Sequence, residues 1–445
     1  MLDAFIRHPF MSRAGVAACS PRDFLAAMCR VECALARVQE RAGLVPAGTA
    51  AAIETRLDID AFDLDALAAD TADGGNVAIP FVKQAKALLD ADLRAHFHYG
   101  ATSQDIVDSA LMLVIQPGLA RIEQRLVEAR GHGSALMTAH ARTPMIGRTL
   151  MQQALPITFG AKVAHWLGGL AQAETRLVDI AANGLFVQFG GPVGVHTGFP
   201  DHGPALMEAL ADELGLNRPL LPWHTDRQPI VALADALDAV AIAAEKIALD
   251  VALMAQTEIG ELSEPAATGA GGSSSMPHKR NPVGCTRMRT AARQVHANVA
   301  LVHDVAAQPL ERGIGEWQAE WAPLIDSLQL VEGMLDTLVV MFEGLDVRVD
   351  AMQHNLRLAA SAFLAEPATD MLMPHLAAAA ATRLVAEAIH QAVAQKSELA
   401  DVLLERPEVA AHVDEQRLRA ALDPMAHVGA SLAQVERVRQ MLNRM

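Results

Sequence analysis

Tyrosine occurs once in this chain of 445 residues, and aromatic residues make up only 4% of it. Strands draw on aromatic and β-branched side chains, so this supply argues against a β-rich fold. Cysteine is scarce too: Cys19, Cys29, Cys33 and Cys285 are all there are, with no Cys-x-x-Cys pair. That is no disulfide framework, and Cys29 and Cys33, one helical turn apart, read as small buried apolar residues. No apolar run approaches the ~18 residues of a membrane helix. Residues 1–10 lack the basic-then-apolar order of a secretory signal. These absences lead to the expectation of a soluble, cytoplasmic protein with no membrane partner. Positive charge is also in deficit, 36 Lys and Arg against 52 Asp and Glu, a formal charge of −16. A nucleic-acid partner is therefore not expected. The glycine-rich run Phe189-Gly190-Gly191-Pro192-Val193-Gly194 is no dinucleotide fingerprint, since its spacing is wrong and no strand precedes it.

What the chain does have is 51% hydrophobic residues, with alanine and leucine dominant. That composition predicts an all-α fold. The length suits two or three domains, or one elongated helical protein with end domains; the division expected is an N-terminal helical domain over 1–103, a central long-helix bundle over 104–348, and a C-terminal helical domain over 349–445. Ser20-Pro21-Arg22-Asp23 signals a helix start, with Ser as cap, Pro at the first position and an acid in the first turn. Further helices are predicted from Pro80 to about Leu93, from about 104 to 142 with an irregularity at Pro117-Gly118, over 161–182, and from Pro229 to about Leu262. The last is apolar on nearly all sides, so it is expected to be buried. One monomer rarely buries several such helices, which predicts a bundle shared between copies, a homotetramer.

Residues 269–282 read Gly-Ala-Gly-Gly-Ser-Ser-Ser-Met-Pro-His-Lys-Arg-Asn-Pro. Glycine frees the backbone, serine supplies hydroxyls, and Lys279 and Arg280 supply positive charge. Between apolar helices this is either a plain Gly/Ser linker or a lid that closes over an anion. A second polar cluster runs from His96 through His98, Gly100, Thr102 and Ser103 to Asp105. Thr102 or Ser103 can cap a helix starting near Gln104, which makes this a helix N-terminus suited to a carboxylate. His96 and His98 as metal ligands lack a third ligand at matching spacing. Arg148, Gln152 and Gln153 are polar in apolar company and need partners, structural or ligand. Glu258 and Glu261, one turn apart, could pair with loop cations or form a solvated stripe. Arg312, beside Gly313, is a second cation suited to a carboxylate by its bidentate geometry, or else an interface residue.

The string Gly-Ser-Ser-Ser-Met-Pro-His-Lys-Arg-Asn-Pro at 272–282 resembles the signature loop of the fumarase/aspartase superfamily. The resemblance implies that Ser273 is the catalytic base and that Lys279 and Asn281 bind anion, with Ser274 beside them. His98-Tyr99-Gly100-Ala101-Thr102-Ser103-Gln104-Asp105 resembles the family's His-x-Gly-x-Thr-Ser-x-Asp motif, which implies substrate contact by His98, Thr102 and Ser103. Fumarate-releasing members carry Arg-Thr-His as a third motif, with the His as general acid. Here Arg148-Thr149-Leu150 stands in that place, and Leu150 cannot transfer a proton. In this departure, in the run Met151-Gln152-Gln153-Ala154-Leu155-Pro156, and in Glu311-Arg312-Gly313 followed by Trp317 and Trp321, the chain is similar to the carboxymuconate cycloisomerase branch. The expectation is an isomerase acting on a small di- or tricarboxylate, without cofactor or metal, in active sites shared between subunits. His98, Gln153 and His140 remain alternative general acids. A fumarate-releasing lyase and a non-catalytic member of the crystallin kind are the alternatives to that reading.

Overall fold

The computed structural model describes residues 2–265, 279–358 and 363–445. The chain is helical, as its composition predicts, and eight helices carry the argument: α1 (Pro21–Arg41), α2 (Ala78–Leu88), α3 (Ser103–Ala139), α4 (Phe159–Asn183), α5 (Gln228–Met254), α6 (Val283–Asp304), α7 (Trp321–Gly344) and α8 (Ala378–Gln395). α1 begins as its sequence requires. The Ser20 hydroxyl accepts from the Asp23 N–H, and Asp23 accepts from the Ser20 N–H, with Pro21 in the first turn. α3 runs continuously through Pro117, where an irregularity was expected. α2 begins two residues before Pro80 and stops at Leu88, short of Leu93.

The chain folds as two compact units, each discontinuous in sequence. The first comprises Met1–Val127, Gln172–Glu245 and Arg287–Thr337; the second comprises Glu128–Ala171, Lys246–Thr286 and Leu338–Met445. In the first, α1 buries Leu25, Met28, Val31 and Leu35, and Arg37 and Arg41 both reach Glu213 at 2.7 Å. Cys29 and Cys33 are free and buried, as their spacing suggests, and burial pushes both thiols up to about 12.

The second unit contains the main departure from the expected helices. Residues 143–160, read as an interruption, form an antiparallel hairpin of β1 (Pro144–Thr149) and β2 (Gln152–Thr158). Its register shifts between Ile146 and Arg148, and a Cβ on Gly147 would lie 2.8 Å from the Leu155 carbonyl oxygen, so only glycine fits this bulge. Ile146 enters an apolar core with Leu356, Leu372, Val385 of α8 and Leu403. The two-residue tip, Leu150 and Met151, has φ of +49° and +64°. Such turns normally use Asn and Gly, so two branched or long apolar residues there are strained. Leu150 is 95% exposed.

α5 ends at Met254 rather than near Leu262; Leu262–Ser263 instead pairs with Asp346–Val347. This removes the helical one-turn relation between Glu258 and Glu261. Glu258 is exposed, whereas Glu261 is fully buried and takes a bidentate pair from Arg148 (2.7 and 2.9 Å) and a bond from Asn355 Nδ2 (2.7 Å). Arg148 thus has a structural partner. Removing one member of a buried ion pair leaves the other uncompensated. Glu261→Ala should therefore cost about 3 kcal/mol or more, read as a fall in the urea midpoint; an unchanged midpoint would show that the pair contributes nothing.

Candidate active site

The first turn of α3 organises the site in the first unit. Asp105, in that turn, is 1% exposed. Four donors converge on its carboxylate: the N–H of Thr102 (3.0 Å), Gly190 (3.0 Å) and Gly191 (2.9 Å), and Nε2 of His224 (2.7 Å). An acidic residue at this place also meets the positive end of the helix dipole. The glycines are needed there. A Cβ on Gly190 would sit 2.6 Å from Pro222, and Gly191 has φ of +73°. Gln104 adds a further tie, donating to the His224 carbonyl oxygen at 2.8 Å.

One turn on, Asp108 accepts from Arg227 (2.8 Å) and from the Trp317 indole N–H (2.8 Å). Arg227 also pairs with Glu320, and all three charged groups are buried. Burial pushes the Glu320 carboxyl up to about 7, Arg227 opposes this, and Asp108 adds to it. Asp108, Arg227, Glu320 and His224 were not picked out from sequence. Their signal was present as carboxylates on a buried helix face and as the polar run Trp223-His224-Thr225-Asp226-Arg227.

On this frame the structure gathers His98, Thr102, Ser103 and Arg312. Thr102 and Ser103 are partly buried at the opening of α3. Arg312 donates to the Gln104 side-chain oxygen (2.8 Å) and to the Pro192 carbonyl (2.8 Å). Both partners are neutral, and among the described residues Arg312 makes no ion pair. Burial lowers its pKa, with Asp105 and Asp108 opposing; an arginine so placed is still a cation. His98 has φ of +59° and its Nδ1 lies 2.6 Å from Glu32 Oε1. Burial would lower its pKa, but the charge and hydrogen bond of Glu32, helped by Asp105 and opposed by Lys86, carry it above the usual histidine value. The result is a helix N-terminus with two hydroxyl residues, an arginine lacking a counter-ion and an imidazole biased toward its cation, a set suited to carboxylates.

Of the remaining candidates, Lys279, Asn281, Gln153 and His140 lie in the second unit. Ser273 and Ser274 fall outside the described residues. Lys279 and Asn281 are exposed just before α6. That helix start is fixed by Glu264, which accepts from the N–H of Gly284 (2.8 Å) and Cys285 (2.6 Å). Gln153 is exposed on β2, facing Arg148 across the hairpin. His140 bonds Thr143 at 3.1 Å, and burial lowers its pKa, the wrong direction for an acid. No group of three or more His, Cys, Asp or Glu able to hold a metal occurs among the described residues.

A family model described as "Lyase" matches residues 19–297, and one described as "Adenylosuccinate lyase C-terminus" matches 366–438. The chain is 39% identical over 440 residues to the 3-carboxy-cis,cis-muconate cycloisomerase of Bradyrhizobium diazoefficiens, covering 98% of each. It is 40% identical over 432 residues to the nitrosuccinate lyase of Streptomyces davaonensis, covering 95% of this chain and 91% of that one. Among solved structures, the 3-carboxy-cis,cis-muconate lactonizing enzyme of Pseudomonas putida superposes with a TM-score of 0.90 at 36% identity, over 100% of this chain and 99% of that one.

The frame gives a prediction independent of substrate. Asp105→Asn replaces a carboxylate by a group with a single acceptor oxygen. Amide exchange at Gly190 and Gly191 should then accelerate by roughly 10-fold or more, since each lost bond is worth about 1–3 kcal/mol. Unchanged exchange would show that Asp105 does not hold that loop.

Proposed function

The chain belongs to the fumarase/aspartase superfamily of lyases, and from that footing we propose that it interconverts 3-carboxy-cis,cis-muconate and a carboxylated muconolactone, a step of aromatic catabolism. One carboxylate oxygen of the substrate bonds to a carbon of its own C=C, and the neighbouring carbon gains a proton. In reverse, that proton leaves, the C–O bond breaks and the carboxylate is released. Ser273 moves the proton. Its alkoxide is costly in water, and nearby cations and N–H groups would lower that cost. His98, Thr102, Ser103 and Arg312 hold carboxylates, as do Ser274, Lys279 and Asn281, with Gln153 completing the set.

The observation that carries this reading is Leu150, taken with the full-length similarity to cycloisomerases. Family members that expel an amine use a histidine there to protonate it. A departing carboxylate is a weak base and needs no such proton, so an aliphatic residue suffices. The similarity to a nitrosuccinate lyase favours a second reading. A nitro-substituted succinate would lose nitrite, also a weak base, and Leu150 fits that loss equally well. Release of fumarate from adenylosuccinate would need the missing acid.

The assembly we assign is a homotetramer with shared sites, working in the cytoplasm on a small di- or tricarboxylate, without cofactor, nucleic acid or membrane. Two features support association. The strained apolar hairpin tip is exposed. The long helices also keep apolar residues in solvent in the single chain: Val127, Val178, Ile242, Leu301 and Val340 are 37–55% exposed.

One ultraviolet assay separates the readings. The pure protein is offered 3-carboxymuconate, nitrosuccinate and adenylosuccinate in turn. Preferred turnover of 3-carboxymuconate is expected. Preference for nitrosuccinate would move the assignment to the second reading, and turnover of adenylosuccinate alone would overturn both.

A further inference from the structure

Glu32 is a charged residue on the buried face of α1, between Cys29 and Cys33, and is 1% exposed. A carboxylate placed there without a counter-charge is strongly disfavoured. Its Oε1 lies 2.6 Å from His98 Nδ1, and its Oε2 is buried with no hydrogen-bond partner. The imidazole is therefore its one ionic partner among the described residues. The same helix holds the next residue as well: Gln39, fully buried, donates to the Tyr99 carbonyl at 2.8 Å. α1 thus grips both sides of a backbone that turns left-handed at His98 (φ +59°). A residue held in that conformation by two buried polar contacts is over-determined, which points to a use for its side chain. Nε2 of His98 makes no hydrogen bond among the described residues, and the side chain is 17% exposed. One nitrogen is fixed from behind and the other is left available.

We infer that Glu32 is a positioning residue: it holds His98 as a cationic donor whose Nε2–H binds a substrate carboxylate beside Thr102, Ser103 and Arg312. This rests on the carboxylate-site reading given above. The role is binding rather than proton transfer, which fits a reaction whose leaving group needs no acid. The charged groups facing His98 come from three helices: Glu32 on α1 and Asp105 on α3 favour the cation, and Lys86 on α2 opposes it. The sign follows from these. With Glu32 in place, the imidazolium persists above the ordinary histidine range and is lost as pH rises through the raised value. Without that charge it is lost at lower pH.

The test uses the intact enzyme and Glu32→Gln, which keeps shape and removes charge. Kinetics use 3-carboxymuconate; binding uses propane-1,2,3-tricarboxylate, which cannot react. At a pH between the variant's His98 titration and the wild type's, the variant should show KM and Kd raised about 10-fold, with kcat within about 3-fold, since one charge-assisted bond is lost. Below the variant's own titration the imidazole is protonated again, and both constants should return close to wild type. The His98 Cε1–H resonance should titrate at lower pH in the variant. Glu32→Asp, which restores the charge at shorter reach, should fall between and guards against a variant that fails to fold. A rise in KM equal at both pH values would reduce Glu32 to a structural role and overturn the inference. So would an unchanged KM, provided that Arg312→Met raises it. If neither variant changes KM or Kd, the carboxylate-site reading itself fails, and this inference with it.

Discussion

The carboxylate of Asp105 is the point on which the site depends. It takes the N–H of Thr102 at the start of α3, two consecutive N–H groups of the Gly190–Gly191 turn, and the His224 ring. Three chain segments far apart in sequence, around residues 102–105, 190–191 and 224, are thereby held to one group. A helix N-terminus leaves N–H groups unpaired, and Asp105 satisfies only its own share. Thr102 and Ser103, at the opening of that turn, stay partly exposed. Asp105 also adds negative charge near His98 and Arg312, which favours their cationic forms against the effect of burial.

In an acidic chain, the disposition of the cations tells which are structural. Arg227 is enclosed by Asp108 and Glu320, and Arg148 by Glu261. These are neutralised within the fold and stiffen it. Arg312 is different, because it is held by an amide oxygen and a backbone carbonyl, which fix its position without cancelling its charge. Buried cations with carboxylate partners support the frame, and Arg312, with its neutral partners, is left for a ligand.

Much of this was legible in the sequence because it is local. The Ser20 cap, the helix opening at Thr102–Asp105 and the long apolar helices all follow from spacing and capping chemistry. The reading of that opening as an anion site is local in the same way, since it rests on residue types and helix polarity. What could not be read is long-range. Glu32 looks like a stray acid in an apolar helix until the fold sets it against His98, 66 positions on. Glu261 looked like a partner for loop cations because a helix was expected through it; the helix stops at Met254, and Arg148 claims the carboxylate instead. The hairpin at 144–158 was hidden because its tip residues, Leu150 and Met151, are poor turn formers, and the conformation they adopt is strained.

The most direct test of this account is a crystal structure of the enzyme with propane-1,2,3-tricarboxylate. The account predicts one carboxylate at the first turn of α3, within about 3 Å of a Thr102 or Ser103 donor and of the Arg312 guanidinium. The ligand lying elsewhere, with that turn filled only by water, would contradict it.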